Sequence, residues 1–288
     1  MSLAAGYLAD LVLGDPARWH PVAGFGRVAA ALERAVYAPT RARGAAFCAL
    51  LVGGAAALGE LLARALGRRP ALVLVTWAAL GGRSLWRLAG EIAAADLERS
   101  REALPALVGR DTVGLDDAGV ARAVVESVAE NTADAIVGPL FWGAVAGPAG
   151  VTAYRAANTL DAMVGHRDAR HAEFGWASAR LDDAMNWPVA RIGAALTVAL
   201  SGAPRRTWRT LRRDGARHPS PNAGRMEAAF AGALGVRLGG ELRYGGKVET
   251  RPLLGDGEQP ARADVRRAVW LSMLVGAAAA VVAMGVAR

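Results

Sequence analysis

The chain has 288 residues, of which 53% are hydrophobic, and a formal net charge of +8 at pH 7. Lys247 is the only lysine, so arginine supplies nearly all of the positive charge; it holds phosphates and carboxylates but stays protonated at neutral pH. The single cysteine, Cys48, lies in an apolar run, which excludes an intramolecular disulfide and a thiolate metal cluster.

The N-terminal residues 1–37 predict a short apolar helix, a Gly-Asp-Pro turn and an amphipathic helix that ends near Tyr37. The segment lacks a basic first region and contains Asp10 and Asp15, so it is not expected to be a cleaved signal peptide. We expect its first helix to be associated with the membrane.

Two helices are predicted next, over residues 44–66 and 70–95, because the junction from Gly67 to Pro70 breaks the apolar pattern. Residues 96–134 are polar, and the spacing of their charges predicts helices on the surface.

Two runs of twenty residues carry no charge, from Ala135 to Tyr154 and from Ala268 to Ala287. About 20 apolar residues are needed for a helix to cross roughly 30 Å of hydrocarbon, so both runs predict membrane spans. Shorter runs at 44–59, 70–82 and 192–204 fit short or tilted spans, re-entrant segments or buried core helices. The predicted fold is mostly α-helical, a multi-pass integral membrane bundle; a large soluble α-helical protein is the alternative.

The first of these twenty-residue runs contains Gly147 and Pro148, which predict a break into two half-length segments. Such breaks are tolerated in membrane helices where neighbouring groups satisfy the freed backbone, and this geometry suits a site near the membrane surface.

Arginines cluster at 205–217 and again just before the final span. Positive residues beside membrane helices mark the cytoplasmic side, so we expect residues 205–267 to be a cytoplasmic insertion within one membrane-embedded domain, 1–288. No recognition module accompanies these arginines, which argues against nucleic-acid binding. This basic linker is followed by a predicted helix at 221–234 and a glycine-rich stretch suited to a small hairpin, with turns at Gly239-Gly240, Gly245-Gly246 and Gly255-Asp256-Gly257.

Three carboxylates form one helical stripe where the chain enters the first uncharged run. Glu126, Glu130 and Asp134 are spaced at i, i+4 and i+8, and Asn131 lies beside them. Repulsion between like charges at this spacing costs about 0.2–0.5 kcal/mol per pair, which is negligible on a solvated face. Ionised groups entering an apolar segment are usually functional, however. A Mg²⁺ held by one or two carboxylates and a substrate phosphate would relieve the repulsion, so we favour a functional role.

A second polar group consists of Tyr154, Asn158 and Asp161, whose spacings of four and three residues place them on one helical face. A polar helix surface and a functional site explain this spacing equally well.

The third group contains Arg180, Asp182, Asp183 and Asn186. A structural salt bridge would explain the i, i+3 pair of Arg180 and Asp183, but not the whole group, which lies between Trp176 and an apolar helix. Its carboxylate–amide pairs suit Mg²⁺ and phosphate, and Arg180 is suited to clamping a phosphate.

Two His-Pro pairs carry further polar side chains: Asp15 and His20 at the first, and His218, Ser220, Asn222 and Glu227 in and after the second. Ser220 followed by proline is a typical helix start, which explains part of the second motif. It leaves the histidine, the asparagine and the glutamate unexplained.

Several familiar site types are absent from the sequence. It contains no GxxxxGK[ST] phosphate loop and no GxSxG nucleophile motif. His166 and His171 are five residues apart, which is the wrong spacing for two zinc ligands on one helical face. If ATP is used, it is not bound by a recognisable P-loop.

Taken in order, these segments resemble the adenosylcobinamide-phosphate synthase family, the CbiB/CobD-type membrane proteins of cobalamin biosynthesis. Ala133, Ala135 and Pro188 depart from the family pattern, but none of them is an acidic or His-Pro position. The resemblance covers about residues 6 to 257 and is carried by GDPARWHPVAGFGR, VESVAENTADAIVGPLFW, AYRAANTLDAMVGHR, FGWASARLDDAMNW, HPSPNAGRMEAAFAGALGVRLGG, RYGG and RPLLGDG.

The resemblance implies a ligase in the bacterial plasma membrane that uses ATP and Mg²⁺. It would join a propionate carboxylate of adenosylcobyric acid, a corrinoid, to (R)-1-aminopropan-2-ol or its O-phosphate, forming an amide. Whether the amine is free or phosphorylated stays open, as do the cleavage products of ATP. A homo-oligomer and an assembly with other late cobalamin-pathway membrane enzymes stay open too.

Roles can be assigned to the polar groups as hypotheses. Catalytic work, as general base or on the metal, is assigned to Glu126, Glu130, Asp182 and His218, and metal binding to Asp134, Asp182 and Asp183. Substrate binding is assigned to Asp15, His20, Asn131, Asn158, Asp161, Arg180, Asn186, Ser220, Asn222 and Glu227.

Two other classes of protein compete with an enzyme. A transporter or channel would place polar residues inside its spans, whereas most of these flank the apolar runs. A membrane sensor without catalysis would not need the carboxylate groups and the His-Pro motifs together. The sequence favours an enzyme.

Overall fold

The structure is a computed structural model that describes residues 1–15, 20–166 and 168–286. Helices dominate these residues, and a two-stranded hairpin is the only sheet among them. The helices are α1 (Ser2–Leu13), α2 (Pro21–Val36), α3 (Arg41–Leu66), α4 (Arg68–Ala79), α5 (Gly82–Ala94), α6 (Leu97–Ala103), α7 (Asp117–Thr132), α8 (Gly138–Val164), α9 (His171–Phe174), α10 (Trp176–Leu200), α11 (Pro204–Asp214), α12 (Ala223–Leu234) and α13 (Arg262–Val286). The strands are β1 (Leu238–Tyr244) and β2 (Lys247–Leu254).

Contacts between residues divide the chain into two compact units. Unit 1 contains Met1–Gly81, Asp134–Pro188 and the residues from 279 onward. Unit 2 contains Gly82–Ala133 and Val189–Ala278. The predicted polar groups are therefore distributed over two separate cores.

In unit 1, α3 packs along α8 through positions that only glycine can occupy. A Cβ atom on Gly59 would lie 2.7 Å from the carbonyl oxygen of Pro148, and one on Gly44 would lie 1.7 Å from the carbonyl oxygen of Phe174. The ring of Phe174 in turn packs against Phe47, with 5.1 Å between ring centroids. These contacts fix α8 and so determine the direction in which its polar face points.

In unit 2, α12 is the most deeply buried element, and Arg225 is its only residue that is not buried. It packs against α7 and α11. Most of α7 is buried as well, including Glu126. The acidic side chains of these two helices are therefore enclosed by protein, and their charges must be balanced by neighbours or by protons.

The hairpin is confirmed, with Tyr244 paired to Lys247 across the predicted Gly245-Gly246 turn. Both turn glycines have positive φ, and Asp111 accepts hydrogen bonds from their N–H groups at 3.1 and 2.9 Å. The predicted turn at Gly239-Gly240 is wrong, because both residues lie inside β1 at an irregularity in the register.

Three other sequence-based expectations need correction. The segment 70–95 is divided between α4 and α5, because the helix ends before Leu80 and Gly81. The segment 96–134 is not a set of surface helices, since α7 is largely buried. The basic linker after residue 204 is the helix α11, which buries Thr207, Thr210, Leu211 and Asp214 and leaves its arginines exposed.

The mostly helical prediction is confirmed, and three helices among the described residues are long and apolar enough to cross a membrane: Arg41–Leu66, Asp117–Val164 and Arg262–Val286. The second includes a π-helical turn at Ala133–Val137 and the predicted break, since Gly147 has φ 63° and ψ −149°. Both uncharged twenty-residue runs begin inside these helices, and the run at 44–59 also qualifies.

Candidate active site

Unit 1 contains an aspartate–asparagine cluster formed by Asp134, Asn158, Asp182 and Asn186. The Asn158 Nδ2 atom lies 3.1 Å from Asp134 Oδ2 and 3.3 Å from Asp182 Oδ1, so one amide lies between the two carboxylates. Asn186 Nδ2 lies 3.1 and 3.0 Å from the two oxygens of Asp182. The buried hydroxyl of Tyr154 donates to Asn186 Oδ1 at 2.8 Å and so fixes the orientation of that amide.

Helix geometry explains how these side chains meet. Tyr154 and Asn158 are one turn apart on α8, and Asp182 and Asn186 are one turn apart on α10. Asp134 lies in the π-helical turn that precedes α8, and such turns are frequent at functional sites. The predicted pairing of Asp182 with Asn186 is confirmed. The second and third polar groups of the sequence are joined by the hydrogen bonds from Asn158 to Asp182 and from Tyr154 to Asn186.

The surroundings of the Asp182 carboxyl group disfavour its ionised form. Burial raises its pKa to about 7, and the negative charges of Asp161 and Asp183 act in the same direction. The hydrogen bonds to Asp182 come from two neutral amides, which favour the carboxylate but supply no positive charge. A bound cation would balance the charge of this cluster.

The donor set of this cluster suits Mg²⁺ better than a metal that needs many protein ligands. Among the described residues, no group of three or more histidine, cysteine, aspartate or glutamate side chains is arranged to hold a metal ion. Mg²⁺ is commonly held by only one or two carboxylates together with phosphate and water. Asp134 and Asp182, which share Asn158, fit that requirement, and Asp183 is half-buried on the next position of α10.

Unit 2 contains a histidine–glutamate cluster formed by Arg110, Glu126, His218, Glu227 and Arg251. His218 accepts a hydrogen bond from the Ser220 N–H group at its Nδ1 atom, at 3.0 Å. Its Nε2 atom lies 2.7 Å from Arg251 Nη1 and 3.8 Å from Glu227 Oε1. Glu126 is ion-paired with Arg110 and also accepts from the Gly239 N–H group at 2.7 Å.

The pKa values of His218 and Glu227 are displaced in opposite directions. Burial lowers the pKa of His218, and the nearby Arg251 guanidinium lowers it further. Burial also raises the pKa of Glu227 well above its usual value, with the charges of Glu126 and Glu130 adding to the effect. Burial therefore favours the neutral imidazole of His218 and the neutral carboxylic acid of Glu227, and a neutral imidazole is suited to accepting a proton.

Several predicted site residues make local contacts instead. His20 lies 3.6 Å from Asp15 and caps α2 by accepting from the Val22 N–H group. Asn131 donates back to its own helix at Ser127. The next residue after Asp15, Pro16, completes the predicted Gly-Asp-Pro turn but falls outside the described residues.

The remaining predicted residues lie at the edges of the two clusters. Ser220 accepts from the N–H groups of Asn222 and the next residue in the turn before α12. The predicted N-cap is wrong, because α12 begins at Ala223 and its N-cap is Asn222. Asn222 accepts from Arg191 at 3.4 Å. Glu130 and Arg180 are exposed. The acidic stripe is split between the units, since Asp134 belongs to unit 1 and Glu126 to unit 2.

The sequence interpretation missed Arg110 and Arg251, the two arginines of the histidine–glutamate cluster. Arg110 is 16 residues before Glu126, and Arg251 is 33 residues after His218, so no helical spacing connects them. The one available signal was the position of Arg251 at the start of the RPLLGDG stretch.

Known proteins match the chain over nearly its full length. The family described as CobD/Cbib protein matches residues 3–272. A protein of Mycobacterium tuberculosis named cobalamin biosynthesis protein CobD is 53% identical, over 97% of this chain and 93% of its own. Proteins with the same name from Chromobacterium violaceum and Stutzerimonas stutzeri are 46% and 42% identical, covering 95% and 96% of this chain and 94% and 96% of their own. No solved structure matches the chain. From the family match and these identities, the chain belongs to the CobD/CbiB family.

Proposed function

We propose that this protein is a cobalamin-biosynthesis ligase. It forms an amide between a propionate carboxylate of adenosylcobyric acid and (R)-1-aminopropan-2-ol or its O-phosphate, and it consumes ATP. The names of its relatives support a role in cobalamin biosynthesis. The observation that carries the ligase assignment is the buried pair of His218 and Glu227, whose pKa displacements suit the removal of a proton from an amine.

A carboxylate does not acylate an amine at neutral pH until its oxygen becomes part of a better leaving group. In the proposed first step, a propionate oxygen attacks the γ-phosphorus of ATP, which forms an acyl phosphate and releases ADP. Charge accumulates on the phosphoryl oxygens during this transfer, so the site must supply positive charge.

The aspartate–asparagine cluster is assigned to this first step. Asp134 and Asp182 would hold Mg²⁺, which when bound neutralises charge on the transferred phosphoryl group, and the charge of Asp183 acts on Asp182 beside them. Asn158 and Asn186 orient the Asp182 carboxylate through the hydrogen bonds described above. The arrangement explains why a buried aspartate is surrounded by further acidic side chains.

The histidine–glutamate cluster is assigned to the second step. The amine nitrogen attacks the acyl carbon, the C–O bond to phosphate breaks, and inorganic phosphate leaves. The nitrogen loses a proton as the amide forms, and neutral His218 accepts it. Both ring nitrogens face donors, the Ser220 N–H group at Nδ1 and Arg251 at Nε2, but a neutral ring has only one nitrogen that can accept. For Nε2 to take the proton, Arg251 must move away and the ring must carry its own hydrogen on Nδ1, which breaks the hydrogen bond from Ser220.

We place the enzyme in the bacterial plasma membrane as a multi-pass protein. Three apolar helices support the membrane location. The exposed arginines of α11, among them Arg205 and Arg209, favour a cytoplasmic position for residues 205–267. That face also has access to ATP.

The test is a reconstituted reaction. Purified protein in nanodiscs is incubated with adenosylcobyric acid, ATP, Mg²⁺ and either amine. The corrinoid product is then identified by mass spectrometry. We expect the mass of the acid plus the amine minus one water, with no product when ATP is omitted. Folded protein that makes no amide from either amine would contradict the proposal, and substrate flux in proteoliposomes would then indicate a transporter.

A further inference from the structure

A pocket of about 700 Å³ lies within unit 2, between the loop that precedes α7 and the first strand of the hairpin. It is lined by four arginines and by several glycines. The charged side chains that line it are Arg110, Arg122, Arg237, Arg243, Asp111, Asp116 and Glu241. None of the roles assigned above uses the open space of this pocket.

Two of the four arginines are held in place by the protein. Arg122 donates to the carbonyl oxygens of Gly239 and Glu241 at 2.9 and 3.1 Å, and its Nε atom is buried with no hydrogen-bond partner. Arg110 is ion-paired with Glu126. The other two, Arg237 and Arg243, form no salt bridge with any side chain that the structure describes. The pocket therefore presents two arginines, Arg237 and Arg243, whose guanidinium groups are not held in a salt bridge among the described residues.

The acidic residues of the lining are largely engaged with backbone groups. Asp111 accepts from both turn glycines of the hairpin, and Asp116 accepts from the Gly119 N–H group at 2.7 Å as the N-cap of α7. Glu241 is exposed on β1. Hydrogen bonds from the two turn glycines lower the pKa of Asp111, and the charge of Arg243 acts in the same direction. An anionic ligand would therefore compete with Asp111 for Arg243.

We propose that this pocket binds the phosphate of a phosphorylated substrate. Arginine pairs phosphate oxygens through two parallel N–H donors, and the lining offers two such side chains, Arg237 directly before β1 and Arg243 within it. The volume falls within the usual range for small-molecule sites and admits a nucleoside triphosphate. It also admits the much smaller O-phosphate of an amino alcohol, so the chemistry shared by both sources is the phosphate group.

The pocket is connected to the histidine–glutamate cluster through two shared residues. Arg110 and Gly239 line the pocket, and both hold the Glu126 carboxylate. A ligand that draws Arg110 toward its phosphate would weaken the ion pair on Glu126, whose charge acts on Glu227. The assignment rests on the proposed function, since that function supplies both phosphorylated substrates.

The experiment measures binding to the full-length protein in nanodiscs by equilibrium dialysis. Two probes are used separately: a non-hydrolysable ATP analogue with Mg²⁺, and 1-aminopropan-2-ol O-phosphate. The double variant R237Q/R243Q is compared with R205Q/R209Q, which removes the same charge from exposed positions of α11 outside the pocket. A lost charge-assisted hydrogen bond changes an equilibrium constant by about 10- to 100-fold.

We expect R237Q/R243Q to weaken the affinity for one probe by about 30-fold or more, while R205Q/R209Q stays within about twofold of wild type. The probe whose affinity falls identifies the substrate that supplies the phosphate. The variant R237K/R243K should recover part of the lost affinity. Wild-type affinity of R237Q/R243Q for both probes, or wild-type protein that binds neither, would overturn the pocket assignment. A different result would overturn the proposed ligase function and leave the pocket assignment in place: R237Q/R243Q loses probe binding, but wild-type protein makes no amide. If the double variant does not fold, the single variant R243Q, altered at an exposed position of β1, takes its place.

Discussion

The two buried clusters handle charge in opposite ways. In unit 1, Asp182 receives its hydrogen bonds from neutral amides while further carboxylates raise its pKa to about 7. In unit 2, Glu126 is ion-paired with Arg110, and Arg251 with Glu249. Burial raises the pKa of Glu227 and favours its protonated form. The first cluster has excess negative charge, whereas the charges of the second are paired, and we call it balanced.

The difference indicates what each cluster needs. A buried carboxylate whose hydrogen bonds come from neutral amides destabilises the fold, and the nearby Arg155 donates to Asn158 rather than to Asp182. A positively charged ligand would explain why this carboxylate is retained. A balanced cluster needs no ligand to be stable and is suited to moving a proton between its own groups. Excess negative charge thus indicates a cluster that binds a cation, and balanced charge indicates a cluster suited to proton transfer.

The largest effect is expected for Asp182→Asn, which should reduce amide formation by about 10³-fold or more because the transferred phosphoryl group loses its metal ligand. The same change should relieve strain. The pKa of Asp182 in the folded protein, about 7, is above its ordinary value of 3.8, so the wild type loses stability as pH rises through that interval. Without Mg²⁺, the stability of the variant relative to wild type should therefore improve by on the order of 3 kcal/mol between pH 4 and pH 8.

Thermal unfolding at both pH values, together with the product assay, checks this prediction. Full turnover in Asp182→Asn, or a relative stability that does not depend on pH, would remove Asp182 from the metal site.

The next largest effect is expected for His218→Gln, which should lower the rate of amide formation by about 10²-fold or more because the amine loses its proton acceptor. Since burial lowers the pKa of His218, wild-type activity should persist below pH 6.5 and be lost only as pH falls through the lowered pKa. The control is His166→Gln, an exposed histidine outside both clusters. Equal pH–rate profiles for His218→Gln and wild type would contradict the assignment.

A smaller effect, measured as stability, is expected for Arg110→Gln. The side chains of Arg110 and Glu126 are only 7% and 10% exposed, so removing the arginine leaves a buried carboxylate uncompensated and should cost about 3–5 kcal/mol. The matched control is Glu91→Gln, which breaks the exposed pair with Arg87 and should cost about 0.5 kcal/mol or less. Similar costs for the two variants would show that the cluster is not balanced as described.

The smallest effect is expected for Glu227→Gln near pH 7, because the glutamine resembles the protonated acid already present. The pKa of Glu227 is raised above its ordinary 4.5, so wild-type stability should decline as pH rises above that value, most steeply as the acid ionises. The variant should lack this decline, and Glu102→Gln, at an exposed position, should keep it. Unfolding midpoints measured from pH 5 to pH 10 distinguish the Glu227→Gln and Glu102→Gln variants. If the stability of Glu227→Gln declines with pH as the wild type does, the raised pKa of Glu227 is contradicted.

The sequence predicted those features of the site that one helix determines. The pairing of Asp182 with Asn186 and the shared face of Tyr154 and Asn158 follow directly from 3.6 residues per turn. The break at Gly147 followed from glycine and proline chemistry.

Features that depend on packing between elements were not predictable in this way. The contacts of Arg251 with His218 and of Arg110 with Glu126 join segments with no periodic relation. The burial of α7 was missed because its charges were taken as a sign of exposure, whereas Glu126 is neutralised by a distant arginine. The division of the acidic stripe between two units depends on the tertiary fold alone.

Carboxylate activation is assigned to unit 1 and proton transfer to unit 2, and the most direct test measures these two chemical steps separately. With adenosylcobyric acid, ATP and Mg²⁺ but no amino alcohol, hydroxylamine traps an acyl phosphate as a corrinoid hydroxamate, which is measured by mass together with the ADP released. We predict that His218→Gln forms hydroxamate and ADP at close to the wild-type rate while failing to make the amide, and that Asp182→Asn forms neither. Loss of hydroxamate in both variants, or its retention in Asp182→Asn, would contradict the assignment of activation to unit 1 and proton transfer to unit 2.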